Sequence, residues 1–148
     1  MSLLNYTTTI KATKTAHEVT QILVKGGARQ IMSEFDSEGT PSGITFSIQT
    51  PEGVRGFTLP VNAKPVEMVM RKDSKIPQRL KTSEQAHNVA WRIMKDWVEA
   101  QMALVETQMV TFDQVMLPYM RTVQGGTFYD AYLNGVGTQA ALGQGEQS

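Results

Sequence analysis

Residues 91–106, WRIMKDWVEAQMALVE, decide how the rest of the chain must be arranged. At about 100° per residue, this stretch and the residues before it set Ala86, Val89, Ala90, Ile93, Trp97, Ala100 and Leu104 on one apolar stripe. A second stripe of Trp91, Met94, Val98, Met102 and Val105 runs beside it, while Asn88, Arg92, Lys95, Glu99 and Glu106 keep to the polar side. The apolar arc spans roughly 220°, about twice the width of a helix that rests one face on a core. A helix running from Thr82 or Ser83 to about Gln108 therefore needs covering on two sides. Segments downstream can fold over the second stripe, or the same stripe of another subunit can meet it across a two-fold axis. On the latter reading Trp91, Met94, Val98, Met102 and Val105 form an oligomer interface, and a homo-oligomer is expected.

Upstream, the apolar spacing switches from helical to alternating. Tyr6–Ile10 is short and β-branched, suiting a strand or an extended arm. Thr15 and Glu18 have capping-box spacing ahead of Ala16, Val19, Ile22 and Leu23, so a helix is predicted from Thr15 to Lys25, ended by Gly26-Gly27. A strand over Ala28–Phe35 leads into the turn-rich DSEGTPSG. Ile44, Phe46 and Ile48 then alternate with Thr45, Ser47 and Gln49, the pattern of a half-buried strand. Thr50-Pro51-Glu52-Gly53 folds the chain back onto Phe57, Leu59 and Val61, with Pro60 confined to an edge or a strand end. Lys64-Pro65 opens a short helix through Met70, followed by the polar connector RKDSKIPQRLK at 71–81.

After the long helix, Thr111 with Gln114 caps a short helix bearing Phe112, Val115, Met116 and Leu117. Thr127 starts another, bearing Phe128, Ala131, Tyr132 and Leu133, and both are expected to cover the second stripe. From Asn134 the composition collapses to Gly, Gln and small residues, which reads as a flexible tail over 134–148 behind a single domain at 1–133. The fold class expected is α+β, an antiparallel sheet of three or four strands packed by a long central helix, with short C-terminal helices.

Composition narrows the chemistry. At 148 residues, 41% of them hydrophobic, the chain is large enough for one core without covalent staples. It has no cysteine, which removes disulfides, thiolate metal sites and a cysteine nucleophile and fits a reducing cytoplasm. No stretch approaches the roughly 20 apolar residues of a membrane span, and no leader pattern opens the chain, so a soluble intracellular protein is expected. His17 and His87 lie on different helices with no sequence-level partner, and His87 is expected in a core or interface. Glu34, Asp36 and Glu38 space three carboxylates through a turn, an arrangement that is ordinarily solvated and only rarely holds a divalent cation. No motif of a hydrolase, zinc enzyme, calcium loop or phosphate-binding loop is present. The chain is read as a non-enzymatic protein with no cofactor, metal ion or catalytic residue.

Formal charge sums to zero but is unevenly spread. Residues 71–81 hold Arg71, Lys72, Lys75, Arg79 and Lys81 against Asp73 alone, a local net of +4, while residues 82–148 hold three cations against seven carboxylates, a net of −4. The basic connector reads as a flexible solvated loop, as one paired with the acidic layer of its own or a neighbouring subunit, or as the candidate nucleic-acid contact, with Arg55 added from the hairpin. It carries no aromatic residue for stacking on bases.

Taken together, YTTTI at 6–10, TPEGVRGFTLPV at 50–61, AWRIMKDWVEAQMALVE at 90–106 and VMLPYM at 115–120 resemble a family of small uncharacterised bacteriophage and prophage proteins. That resemblance implies an accessory protein of the host-cell cytoplasm that handles nucleic acid or disarms host defence. The predicted element order is also similar to that of double-stranded-RNA-binding domains, but about 20 residues intervene before the long helix, which opens with Thr82-Ser83-Glu84 and not with a basic cluster. The other comparison is with Whirly-type single-stranded-DNA binders, which need more strands than this chain displays. The expected function is nucleic-acid binding through the connector. The alternative is an anti-defence protein that binds a host defence component or sequesters a signalling nucleotide, using an exposed Trp91 or Tyr119 or a pocket between subunits.

Overall fold

The alternation of apolar and polar residues through 41–61 produces a three-stranded antiparallel meander at the centre of the computed structural model, which describes residues 3–135. The elements are α1 (Ala12–Lys25), β1 (Ala28–Phe35), β2 (Pro41–Thr50), β3 (Gly53–Pro60), α2 (Ala63–Lys72), α3 (Ser83–Glu106), α4 (Phe112–Met116) and α5 (Phe128–Leu133). The fold is thus α+β with strand order β1-β2-β3. The tail expected at 134–148 lies outside the described residues from 136 onward.

Cross-strand pairing explains the core face of the sheet. Phe46 lies opposite Phe57 and Ile44 opposite Leu59, and all four are buried. The two phenylalanine rings stack at 5.4 Å, and Phe112 of α4 packs edge-on against both at 6.0 and 5.1 Å. This geometry, ring edge to ring face, favours the pairing beyond the area it buries. The opposite face is exposed and mixed: Met32 lies beside Thr45, which bonds to Glu34 on one side and Thr58 on the other. A fourth strand is not formed among the described residues. Tyr6–Ile10 is a turn-rich arm, tied down where the Gln85 side-chain amide donates to the carbonyls of Tyr6 and Thr8. The free edge of β3 is instead covered by a one-residue bridge, Phe57 to Met120, with the Arg121 N–H donating to the Gly56 carbonyl at 2.7 Å.

β1 has no partner on its outer side among the described residues and carries exposed Met32 and Phe35. Two register shifts interrupt its ladder with β2, one at Arg29 and one beside Phe35.

Helix α1 begins three residues before the predicted Thr15. Lys11 offers no side-chain cap, and the first free amide, Ala12 N–H, is satisfied by the Asn88 side-chain oxygen of α3 at 2.8 Å. Thr15 sits fully buried within the helix. The local sequence signal was misleading because a distant residue does the capping. α3 stops where Gln108 takes φ +63°, with Gln108 N–H bonded to Val105 O and Met109 N–H to Leu104 O. This is the left-handed helix end that glycine usually supplies, here met by glutamine at a cost in backbone strain.

The 24-residue α3 packs against both α1 and α2. Trp91 and Val98, expected at an oligomer interface, are covered inside the chain with no exposed surface, so they cannot meet a second subunit. The Trp91 indole N–H donates to the Pro41 carbonyl at 2.8 Å, joining α3 to the first residue of β2. Trp97 meets Tyr119 edge to face at 5.7 Å. Of the two short helices expected as covers, α4 contributes buried Met116, whereas α5 leaves Phe128, Tyr132 and Leu133 exposed.

Trp91→Ala should destabilise the fold by about 3–5 kcal/mol through cavity formation. Trp91→Phe should cost less, about 1–3 kcal/mol, mainly because the Pro41 carbonyl loses its buried donor. Urea unfolding followed by far-UV circular dichroism checks both, and a Trp91→Phe variant as stable as the parent chain would show that the hydrogen bond contributes nothing.

Candidate functional site

The connector is less loose than its composition suggests. α2 is capped at its start by the Asn62 side chain, which accepts from Lys64 N–H, and carries Arg71 and Lys72 in its last turn. Asp73 then turns the chain by accepting from Lys75 N–H at 2.9 Å. Ile76 is buried to 2% exposure, Leu80 packs against the core, and Gln78–Leu80 forms a 3-10 turn. Two apolar anchors therefore fix a segment whose cations point outward.

Those cations are not equivalent. Arg71 places two guanidinium nitrogens on one Glu67 carboxylate oxygen, at 2.6 and 2.9 Å. Lys72, Lys75 and Arg79 are exposed and Lys81 half-buried, and among the described residues none of these four forms an ion pair. Arg55 belongs elsewhere. It lines a groove with Arg121, where none of the five connector cations reaches, and its guanidinium donates to the backbone carbonyls of Val54 and Glu52.

That groove, of about 1100 Å³, runs between β3 and the C-terminal segment and is walled by Leu117, Met120, Phe128, Tyr129 and Tyr132. Phe128 and Tyr132, expected from sequence to cover α3, line this groove and are exposed. A signal was present in FYDAY at 128–132, where helical spacing places Tyr129 and Tyr132 on one face with no apolar continuation on the other side of the short helix.

The remaining positions of the expected interface are divided. Met94 lines a small apolar groove with Val66, Trp97 and Tyr119, while Met102 and Val105 line a separate one between α1 and α3. That second groove is bordered by the Arg92–Glu18 and Lys95–Glu99 ion pairs.

His87 lies at the start of α3 with Nδ1 2.9 Å from the Ser83 carbonyl, which fixes Nδ1 as the donor. Its Nε2 is 3.5 Å from Asp36. The three acids of the β1–β2 turn do not converge: Glu34 accepts from Thr45, whereas Asp36 accepts from the N–H groups of Glu38 and Thr40. Among the described residues no group of three or more metal-ligating side chains forms. The Thr40 N–H holds the Asp36 carboxyl below its ordinary 3.8, opposed by partial desolvation and assisted by the Glu38 N–H and the nearby His87. No helix among the described residues is long and apolar enough to cross a membrane.

No protein family, curated protein or solved structure matches the chain.

Because the Asp36 value is depressed on folding, its contribution to stability is present above the unfolded value of 3.8 and is lost as pH falls through the lower folded value. Asp36→Asn should therefore be less stable than the parent chain near neutral pH, and the gap should narrow at about pH 3. Denaturation midpoints at the two pH values test this; a gap that widens in acid would contradict the assignment.

Proposed function

We propose that the protein is a non-enzymatic nucleic-acid-binding protein whose connector contacts the phosphate backbone through Lys72, Lys75, Arg79 and Lys81. The observation that supports this most directly is the state of those four cations: unpaired among the described residues, clustered in sequence, and mounted on a turn pinned by Ile76. Because the segment that carries these cations is already ordered, contact with phosphate costs side-chain freedom but little backbone freedom, and counterions are released from the nucleic acid. Arg71, already held by Glu67, contributes less to that contact. In the phage context that the sequence motifs suggest, such a protein acts in the cytoplasm of the infected host.

A second reading is supported by a different surface. Val54, Leu117, Val123, Phe128, Tyr129 and Tyr132 are exposed apolar residues lining one groove, and contiguous exposed apolar surface marks binding sites more often than bare solvent. A protein that blocks a host defence component, or withholds a signalling nucleotide, would use this groove. It would not use Trp91, which is buried.

Lys75→Glu combined with Arg79→Glu should abolish binding to a labelled oligonucleotide while leaving the circular dichroism spectrum unchanged, since both side chains are exposed. Four phosphate contacts predict that log K falls against log salt with a slope of about −3 to −4 on duplex DNA. Fluorescence anisotropy across a salt series measures both, and unaltered binding by the double variant removes the connector from the mechanism.

A further inference from the structure

We infer that the groove between β3 and the C-terminal segment seats unpaired nucleobases, so that the protein selects single-stranded over duplex nucleic acid. The inference rests on the nucleic-acid reading but uses residues that the connector does not share. Among the described residues, Arg55 and Arg121 are its two charged lining residues and no carboxylate lines it. The nearest acid on α5, Asp130, is turned away to accept the Thr127 N–H at 2.9 Å as part of a capping box. The groove therefore has a net positive lining in a part of the chain that is acidic overall.

Both arginines are held in place before any ligand arrives. Two backbone carbonyls of the β2–β3 hairpin hold the Arg55 guanidinium. The Arg121 backbone is fixed by Gly56, and its side chain donates to the Thr58 hydroxyl at 3.4 Å. Alongside them, Tyr129 and Tyr132 lie nearly parallel, 21° apart with ring centroids at 6.3 Å, and remain 53% and 59% exposed. The short helix that carries them is tied to the sheet, because Phe128 N–H donates to the Met120 carbonyl and Met120 bridges to Phe57.

Open aromatic faces next to fixed cations match the chemistry of a strand whose bases are free to stack and whose phosphates follow the same path. A duplex cannot use the tyrosines, since its base faces are already stacked on one another. Its phosphates still meet the connector. The two surfaces thus divide the work: the connector supplies affinity for any backbone, and the groove supplies the preference for single strands.

The test is fluorescence anisotropy with a labelled single-stranded oligonucleotide of about 20 nucleotides and with its duplex, at one salt concentration. Tyr129→Ala with Tyr132→Ala should weaken single-strand binding by about tenfold or more and leave duplex binding within about twofold. Tyr129→Phe with Tyr132→Phe should restore it, because stacking needs the ring and not the hydroxyl. Arg121→Ser should weaken the single strand selectively as well. Equal loss on both substrates, or none on the single strand, overturns the inference. Wild-type binding to the duplex without preference also overturns it while sparing the connector, whereas no binding to either substrate removes the parent reading too. If AMP competes as well as the oligonucleotide does, mole for mole, the groove is a nucleotide pocket and the inference fails.

Discussion

One chain has to dry two faces of α3, and the contact that organises the solution is the buried Trp91. Its ring occupies the space where α3 approaches the start of β2, and its single polar atom is satisfied by a backbone carbonyl, so a large side chain is buried with no polar group stranded. With that register set, α1 lies along one side of α3 and α2 along another. Phe112 then closes the aromatic cluster over the sheet. Asn88, three residues before Trp91, reaches α1 and completes its first turn. The start of β2, the start of α1 and the arm at Tyr6–Thr8 are each bonded to the first half of α3.

The second half of α3 is covered less completely. Ala100 is exposed, and Leu104, Met102 and Val105 are only partly covered. The helix therefore changes along its length from core element to surface element. The hydrophobic pattern is nearly uniform over the same span, so the difference arises from where neighbouring elements end, and not from the helix itself.

Much of the architecture was legible because it is local. Alternation at Ile44, Phe46 and Ile48, the four-residue turn at Thr50–Gly53 and the caps at Thr111 and Thr127 each depend on residues a few positions apart. What misled the sequence reading depends on contacts across the chain. The start of α1 is set by a residue 76 positions away, and nothing near Lys11 reports it. Trp91 and Val98 carry the same chemistry whether a partner subunit or the same chain covers them, so their pattern could not distinguish the two. The connector was visible as a run of charge, but the pairing of Arg71 with Glu67 and the anchoring by Ile76 were not. Arg55 and Arg121 are 66 positions apart, and only the Phe57–Met120 bridge brings their two segments together.

The outer edge of β1 has a consequence for how the molecule survives at high concentration. Its eight residues offer unsatisfied amides and carbonyls along one side, with Met32 and Phe35 beside them, which is the template on which ribbons of identical chains grow. Extra residues at Arg29 and at Ser42 break the regular spacing at both ends of the strand, and Arg29 and Glu34 would bring charge into any such stack. The undisturbed ladder is confined to Gln30–Glu34. With a formal net charge of zero, the irregular ends of β1 are the feature this chain sets against edge-to-edge pairing.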